Sequence, residues 1–148
     1  MSVVRFARVP GNTLPLPAYA TEGAAGMDLR AFLPGGPVSF VHGQLELIST
    51  GLMVELPAGT EMQIRPRSGL ALKAGFIIPN APGTVDADYR GVIHVGLYYL
   101  GRDGFTISHG DRIAQAVIAD VLRPSVVEVE ALSETGRGSG GFGSTGLV

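Results

Sequence analysis

The sequence predicts an all-β protein, a β-barrel or sandwich of short strands with one short helix. Apolar and polar residues alternate through most of the chain, and 22 glycines and 10 prolines interrupt the alternating runs. Of the 148 residues, 45% are hydrophobic and only 16% are charged, against about 25% charged in an average soluble domain. We expect partner subunits to cover the excess apolar surface, with a well-packed monomer as the alternative.

Several segments alternate in the manner of half-buried strands. In chain order, they are residues 3–8, 44–47, 52–56, 62–64, 92–99, 105–107 and 127–129. Residues 113–121 form a longer apolar run, which is typical of a strand that is buried on both faces. Turn signals between these segments support the all-β prediction.

One helix of barely two turns is predicted after residue 67, although a simple turn is an alternative. Ser68 could cap this helix, and Leu70, Leu72 and Lys73 would extend it. Gly75 would follow its last residue, where a left-handed conformation is common.

The composition excludes several classes of function. The chain has no cysteine, which excludes disulfides, cysteine-ligated zinc and a thiol nucleophile. Its net charge of −2 gives no general basic face for nucleic acid. No apolar run reaches the roughly 18 to 20 residues of a membrane span, and residues 1–17 do not resemble a signal peptide. We therefore expect a cytoplasmic protein without nucleic-acid or membrane partners.

A segment rich in chemical groups precedes the strongest alternating strand. It contains Asp86, Asp88, Tyr89 and Arg90 and ends at Gly91. Aspartate and glycine are common in hairpin turns, so an ordinary turn is one interpretation. A carboxylate held at a strand end can also act as a general base, so a water-activating site is the other.

Two further segments suggest contacts to an anion. Arg65, Arg67 and Ser68 lie at the predicted helix start, where free backbone N–H groups favour anions, although many such helix starts bind nothing. Gln115 is polar within an apolar run and therefore needs a hydrogen-bonding partner, either structural or a ligand. The three histidines, His42, His94 and His109, have no metal-ligand spacing.

Residues 137–146 are rich in glycine, which accounts for five of the ten positions. Their composition predicts a flexible tail. The segment is no P-loop, because no Gly-Lys-Ser/Thr sequence follows it. We therefore divide the chain into a strand-rich domain, residues 1–136, and a C-terminal segment, residues 137–148.

Taken together, five motifs in order closely resemble the trimeric dUTP diphosphatase family. They are Ala25-Gly26-Met27-Asp28-Leu29, Pro66-Arg67-Ser68-Gly69-Leu70-Ala71, Gly83-Thr84-Val85-Asp86-Ala87-Asp88-Tyr89-Arg90-Gly91 with Asn80 before it, Gly110-Asp111-Arg112-Ile113-Ala114-Gln115, and the tail from Arg137 to Gly146. The resemblance covers nearly the whole chain. It implies a distorted β-barrel, or jelly roll, that assembles as a homotrimer with active sites shared between subunits.

The resemblance also implies a reaction, the hydrolysis of dUTP to dUMP and pyrophosphate. This reaction limits uracil in DNA and supplies dUMP for thymidylate synthesis. Asp86 matches the general base that activates water for in-line attack on the α-phosphorus, and Asp28 matches a second carboxylate near the water and the sugar. Arg67, Ser68, Gly69 and Gln115 match contacts to the phosphates. Mg²⁺ is implied as a cofactor that phosphate oxygens and waters hold, with no direct protein ligand.

Substrate selection is implied by the third motif and the tail. Asn80 and the backbone of Gly83, Thr84 and Val85 match the uracil pocket, and Tyr89 matches a residue packed on the deoxyribose. In the tail, Phe142 would stack on uracil and Arg137 would reach the γ-phosphate of a neighbour's site. Gly143 would let the backbone approach the phosphates closely, and Ser144 and Thr145 could donate hydroxyl contacts.

Two departures and two rival functions accompany this resemblance. The family often has an acidic residue and a lysine at the positions of Val92 and His94, which we expect to point away from the site. A dCTP deaminase of the same fold would need a glutamate near the base, but no glutamate lies between Glu61 and Glu128. A regulatory module that uses the nucleotide pocket to bind a partner protein is the second rival.

Overall fold

The computed structural model describes residues 3–141, which form eleven short strands and one helix. The elements are β1 (Arg5–Arg8), β2 (Met27–Arg30), β3 (Val38–Phe40), β4 (Leu45–Ser49), β5 (Leu52–Glu55), β6 (Thr60–Arg65), α1 (Ser68–Ala74), β7 (Phe76–Ile77), β8 (Gly83–Val85), β9 (His94–Tyr99), β10 (Phe105–Ile107) and β11 (Arg112–Asp120). The predicted class of short strands with one short helix is confirmed. No helix among the described residues has the length and apolar character needed to cross a bilayer.

The strands pair antiparallel into four sheets. The largest has the order β2-β11-β6-β8, a second has the order β4-β9-β7, and the remaining strands form the pairs β1-β5 and β10-β3. Each sheet keeps two open edges, so the described strands do not hydrogen-bond into one closed barrel. The curvature of the fold therefore comes from sheets packed around a core and not from a continuous ladder.

The core lies between the inward faces of these sheets. Val95, Leu97 and Tyr99 of β9 are buried, as their alternation predicts, and Tyr99 packs against Phe76 with ring centroids 4.8 Å apart. The largest fully buried apolar side chains are Leu29, Phe40, Met62, Phe76, Ile93, Leu97, Ile107, Ile113 and Val95. Through the buried Ile113, this core anchors β11, the strand that carries Gln115.

Sequence patterning finds the long strands and the three-residue β10 but misses four other short strands. β2, β3, β7 and β8 have two to four residues each, so they show at most two periods of alternation. The predicted strand at residues 127–129 is wrong, because the segment makes no ladder with any described strand and Val127 is 75% exposed. A segment with alternating apolar residues forms a strand only where a neighbouring strand offers an unpaired edge.

The helix begins at Ser68, one residue earlier than predicted. Arg67 is its N-cap, with φ −91° and ψ 133°, and Ser68 is already the first helical residue. The prediction that Ser68 caps the helix is therefore wrong, because a capping side chain must belong to the extended residue that precedes the helix. Gly75 ends the helix as predicted, with φ 81° and its N–H bonded to the Ala71 carbonyl at 3.2 Å.

A C-terminal arm, residues 121–135, follows β11 without any helix or strand. Its apolar side chains are exposed, with Leu122 at 92%, Val126 at 96% and Leu132 at 88%. Contiguous exposed apolar side chains often mark a surface that binds another chain.

Candidate active site

A cavity of about 300 Å³ opens beside the loop that joins β8 to β9. Six residues of the predicted site share its wall: Asn80, Gly83, Thr84, Val85, Asp86 and Tyr89. Five residues outside that set complete it: Leu47, Ile64, Val92, Ile93 and His94. The third motif therefore contributes Gly83 to Asp86 and Tyr89 to one pocket wall.

Strand pairing positions the inner wall of the cavity. β8 pairs with β6 so that Gly83 lies opposite Ile64 and Val85 opposite Met62. A side chain at Gly83 would place its Cβ 3.2 Å from Asn80 Nδ2 and 3.4 Å from Ile64 Cβ. Glycine at 83 therefore leaves the space in which the Asn80 amide lies close to the backbone of the wall.

Asp86 comes directly after β8, where the chain begins its turn. The Tyr89 N–H donates to the Asp86 carbonyl at 3.1 Å, which closes the turn. The side chain of Asp86 is exposed and borders the cavity. The two sequence interpretations are therefore compatible, since the segment is a turn that also presents a carboxylate to a pocket.

Tyr89 is fixed by the backbone that follows it. Its hydroxyl donates to the Val92 carbonyl at 3.1 Å, and His94 Nδ1 lies 2.9 Å from the same oxygen. Val92 and His94 line the cavity, so the expectation that they point away from the site is wrong. They point away from the hydrophobic core, and the cavity extends along that outer side of β9.

A second group of polar residues is centred on Asp28. Arg67 Nε donates to Asp28 Oδ1 at 2.8 Å, and Arg112 Nη1 donates to Asp28 Oδ2 at 3.2 Å. Arg67 also donates from Nη1 to the Arg112 carbonyl at 3.2 Å. Arg112 has no role in the sequence prediction, although its charge just before an apolar strand was visible within the fourth motif.

Gln115 lies beside this group and has the partner that its position required. In the ladders, Gln115 is opposite Asp28 of β2 and opposite Arg65 of β6. Its Nε2 donates to the Pro66 carbonyl at 3.0 Å, which ties β11 to the loop before α1. A Cβ at Gly26 would lie 2.5 Å from Gln115 Oε1, so glycine at 26 makes room for this amide.

The Asp86 cavity and the group around Asp28 are built from different residues. Directly opposite residues in antiparallel strands share a face, so Asp28, Gln115 and Arg65 point the same way. None of these three lines the cavity, and neither does Arg67 or Arg112, the two arginines bonded to Asp28. The wall of the Asp86 cavity therefore contains no member of the Asp28–Arg67 cluster, which consists of Asp28, Arg67, Arg112 and Gln115.

The family model described as dUTPase matches residues 12–146 of this chain. The chain belongs to the dUTPase family. The deoxyuridine 5'-triphosphate nucleotidohydrolase of Treponema pallidum is 56% identical over 145 residues, which cover 98% of each chain.

Two solved dUTPases have the same fold. The Staphylococcus bacteriophage 80alpha dUTPase with dUPNHPP superposes with a TM-score of 0.83 at 25% identity, covering 98% of this chain and 99% of that one. A mutant dUTPase from phage phi11 of S. aureus, whose structure describes the coordination of a structural Mg(II) ion, gives 0.77 at 21% identity, covering 87% and 97%. At the lower identity the likeness shows the dUTPase fold alone.

The remaining predicted residues of this dUTPase family member lie outside both groups. Ser68 and Gly69 are exposed at the start of α1. Arg137 is exposed, and its Nε donates to the Gly140 carbonyl at 2.8 Å. Phe142, Gly143, Ser144 and Thr145 lie outside the described residues. Between residues 3 and 141, no cluster of three His, Cys, Asp or Glu side chains could hold a metal ion.

Proposed function

We propose that the protein hydrolyses dUTP to dUMP and pyrophosphate, and so limits uracil in DNA and supplies dUMP for thymidylate synthesis. The observation that carries the proposal is the cavity that places the Asp86 carboxylate beside Asn80 and Tyr89. Membership of the dUTPase family supports it. A pocket with a few convergent polar groups and one exposed carboxylate suits a small polar substrate and an activated water.

Asp86 is the general base in this mechanism. Its carboxylate takes a proton from a water molecule, whose oxygen attacks the α-phosphorus in line with the leaving group. The bond between the α-phosphorus and the bridging oxygen breaks, and the electron pair leaves with pyrophosphate. A base at the end of a strand is well held for this step, because the β6–β8 ladder fixes the backbone immediately before it.

The Asp28–Arg67 cluster binds the phosphate chain. Two arginines, Arg67 and Arg112, bond to one carboxylate, so the cluster has a local excess of positive charge in a chain of net charge −2. Asp28, as the second carboxylate near the water and the sugar, orients Arg67. Arg67, Ser68, Gly69 and Gln115 contact the phosphates, where donors in place beforehand stabilise the charge that develops on the leaving group.

The cavity selects the base and the sugar. Asn80 and the backbone of Gly83, Thr84 and Val85 pair with the edge of uracil, and their close walls exclude a 5-methyl group. Cytosine presents a donor where uracil presents an acceptor, which would leave a buried polar group unpaired. Tyr89 packs on the deoxyribose, so a 2′-hydroxyl has no space.

The active enzyme is a homotrimer in which neighbouring chains complete each site. Two features of the chain support this arrangement. No residue of the Asp28–Arg67 cluster lines the cavity of the same chain, so a nucleotide in the cavity would take its phosphate contacts from a neighbour's cluster. The C-terminal arm also has exposed apolar side chains, which a neighbouring chain would bury.

The C-terminal segment, residues 137–148, is a lid that closes over a neighbour's nucleotide. Phe142 stacks on uracil, and Arg137 reaches the γ-phosphate. Gly143 lets the backbone approach the phosphates, and Ser144 and Thr145 donate hydroxyl contacts. The Arg137 side chain bonds to the nearby Gly140 carbonyl, a local contact that it can exchange for a phosphate at small cost.

Mg²⁺ fits this site as an ion bound to the substrate. Asp28 is already engaged by two arginines, and the described residues offer no cluster of ligands for a protein cage. Phosphate oxygens and waters would hold the ion, in keeping with its preference for a few anionic oxygens and a partial water shell. The ion would neutralise charge on the phosphate chain.

A pyrophosphate-release assay with dUTP, dTTP, dCTP and UTP tests the proposed function. We expect dUTP to be hydrolysed with a kcat/KM at least about 100-fold above each other nucleotide, because a mismatched hydrogen-bonding edge or a steric clash is costly in a closed pocket. Ammonia release from dCTP would instead indicate a deaminase. Similar hydrolysis of all four nucleotides would contradict the specificity, and no hydrolysis of dUTP would favour the regulatory module.

A further inference from the structure

Gly91 faces the ring of Tyr89. A side chain at this position would place its Cβ against the Tyr89 hydroxyl oxygen, 2.6 Å from Cζ and 3.0 Å from Cε2. Carbon atoms do not approach this closely, so any larger residue at 91 must displace the ring. The backbone makes no such demand, because Gly91 is not among the glycines with positive φ.

The Val92 carbonyl holds the same, hydroxyl end of that side chain. It accepts the Tyr89 hydroxyl at 3.1 Å and lies 2.9 Å from His94 Nδ1. The chain from Tyr89 to Val92 therefore folds back over the ring, with glycine providing the space and the next carbonyl providing the anchor.

We propose that Gly91 is a positioning residue that sets the sugar specificity of the cavity through Tyr89. The inference rests on the proposed function, in which Tyr89 packs on the deoxyribose. With glycine at 91 the hydroxyl end of the ring lies against the returning backbone, and Tyr89, which is 44% exposed, lines the cavity. A methyl group at 91 pushes the ring from this place and changes the space available at the 2′-carbon.

The test compares dUTP with UTP in the full-length Gly91→Ala variant. We expect the ratio of kcat/KM for dUTP to kcat/KM for UTP to fall about 10-fold or more, since displacements of about 1 Å can cost as much as 100-fold. A folded variant that hydrolyses dUTP with an unchanged ratio would overturn the inference. If the wild-type protein does not hydrolyse dUTP at all, the proposed function itself is contradicted.

Gly101→Ala is a matched control. Gly101 also follows a tyrosine by two residues, and a Cβ there would run into the ring of Tyr99. Tyr99, however, is buried in the aromatic core and does not line the cavity. This variant should lower the melting temperature and leave the dUTP-to-UTP ratio within about 2-fold of wild type; a ratio that falls as far as in Gly91→Ala would show that any such strain alters selectivity, against the inference.

A double-mutant cycle with Tyr89→Ala separates the proposed contact from a general loss of structure. Without the ring, the three atoms nearest to the added Cβ are gone, so adding Gly91→Ala to Tyr89→Ala should change neither the melting temperature nor the nucleotide ratio. If Gly91→Ala alone fails to fold, the double variant should fold again. An equal loss of stability from Gly91→Ala in both backgrounds would show that the methyl group clashes with something other than Tyr89 and would overturn the inference.

Discussion

Arg67 donates to Asp28 across a separation of 39 positions in the chain, at 2.8 Å between Nε and Oδ1. The second oxygen of the carboxylate accepts Arg112 at 3.2 Å. One aspartate thereby holds two guanidinium groups that would otherwise repel each other. The pairing keeps a positive cluster assembled before any phosphate arrives, and preorganisation of this kind is worth most in catalysis when charge develops on the ligand.

Asp28→Asn should disturb this arrangement more than it disturbs the fold. The amide keeps the size of the carboxylate but loses the charge that holds both arginines. We expect kcat/KM for dUTP to fall about 10- to 100-fold, the scale of a misplaced positioning group, with a stability loss of about 1 kcal/mol or less because the pair is partly exposed. Steady-state kinetics and thermal unfolding measure the two effects.

Glu55→Gln is the control for that experiment. It removes a comparable surface partner, since Glu55 pairs with Arg5 in exposed surroundings away from the cavity and the cluster. It should leave kcat/KM unchanged. If Asp28→Asn also leaves kcat/KM unchanged, Asp28 has no role in arranging the arginines for catalysis.

Asp86→Asn tests the general base. The substitution keeps the shape of the side chain and removes its basicity, so kcat should fall about 10² to 10⁴-fold while the binding of dUTP is retained. Rapid-quench kinetics and equilibrium binding separate chemistry from affinity. Asp103→Asn, in the exposed turn between β9 and β10, is the matched control, and an Asp86→Asn enzyme within a few-fold of wild type would assign water activation to another group.

Light scattering tests the assembly. We expect a particle of about three times the 15.4 kDa chain mass, because the C-terminal arm and the divided site both need a neighbour. The measurement should be repeated after removal of residues 121–148, which we expect to weaken the trimer. A fully active monomer would contradict both the trimer and the shared site.

Deleting the C-terminal segment from Arg137 onward tests the lid. Because β11, the last strand, ends at Asp120, the truncated chain should keep its melting temperature and its oligomeric state. Its kcat for dUTP should fall strongly, since closure excludes water and brings Arg137 to the phosphates. A truncated enzyme as fast as the full chain would reduce the segment to a dispensable tail.

Point variants divide the effect of the lid. Arg137→Ala should mainly lower kcat, because its contact strengthens as charge builds on the phosphate chain. Phe142→Ala should lose stacking of about 1–3 kcal/mol and keep substantial turnover, since Asn80 and the hairpin still position the base. Values of kcat and KM for both variants measure the division, and identical losses in the two would contradict it.

The sequence predicts this fold and site wherever a local pattern carries the information. Gln115 within an apolar run indicated a hydrogen-bonding partner, and Pro66 provides it. Asp86 before an alternating strand indicates a water-activating carboxylate, and Asp86 borders the cavity, although its catalytic role stays a prediction. These features depend on neighbours in sequence, which periodicity reports directly.

Other features depend on contacts that no local pattern contains. The sharing of Asp28 between Arg67 and Arg112 joins residues 39 and 84 positions away. The orientation of His94 was misjudged because alternation separates core from surface but cannot separate surface from cavity. The apolar residues of the C-terminal arm suggested a strand at 127–129, yet no described strand offers it an edge.

Because the cavity and the Asp28–Arg67 cluster have no residue in common, each site of the proposed arrangement draws on two chains, and activity then depends on protein concentration. Specific activity should fall on dilution below the dissociation constant of the trimer, more steeply than the folded fraction. Mixed trimers of two variants should also recover activity. Asp86→Asn and Arg67→Ala chains are each expected to be inactive alone. When equal amounts of the two exchange subunits at random, about a quarter of the sites should combine an intact Asp86 with an intact Arg67. A mutation that inactivates one half of the site would then be compensated, in mixed trimers, by the intact half on another chain.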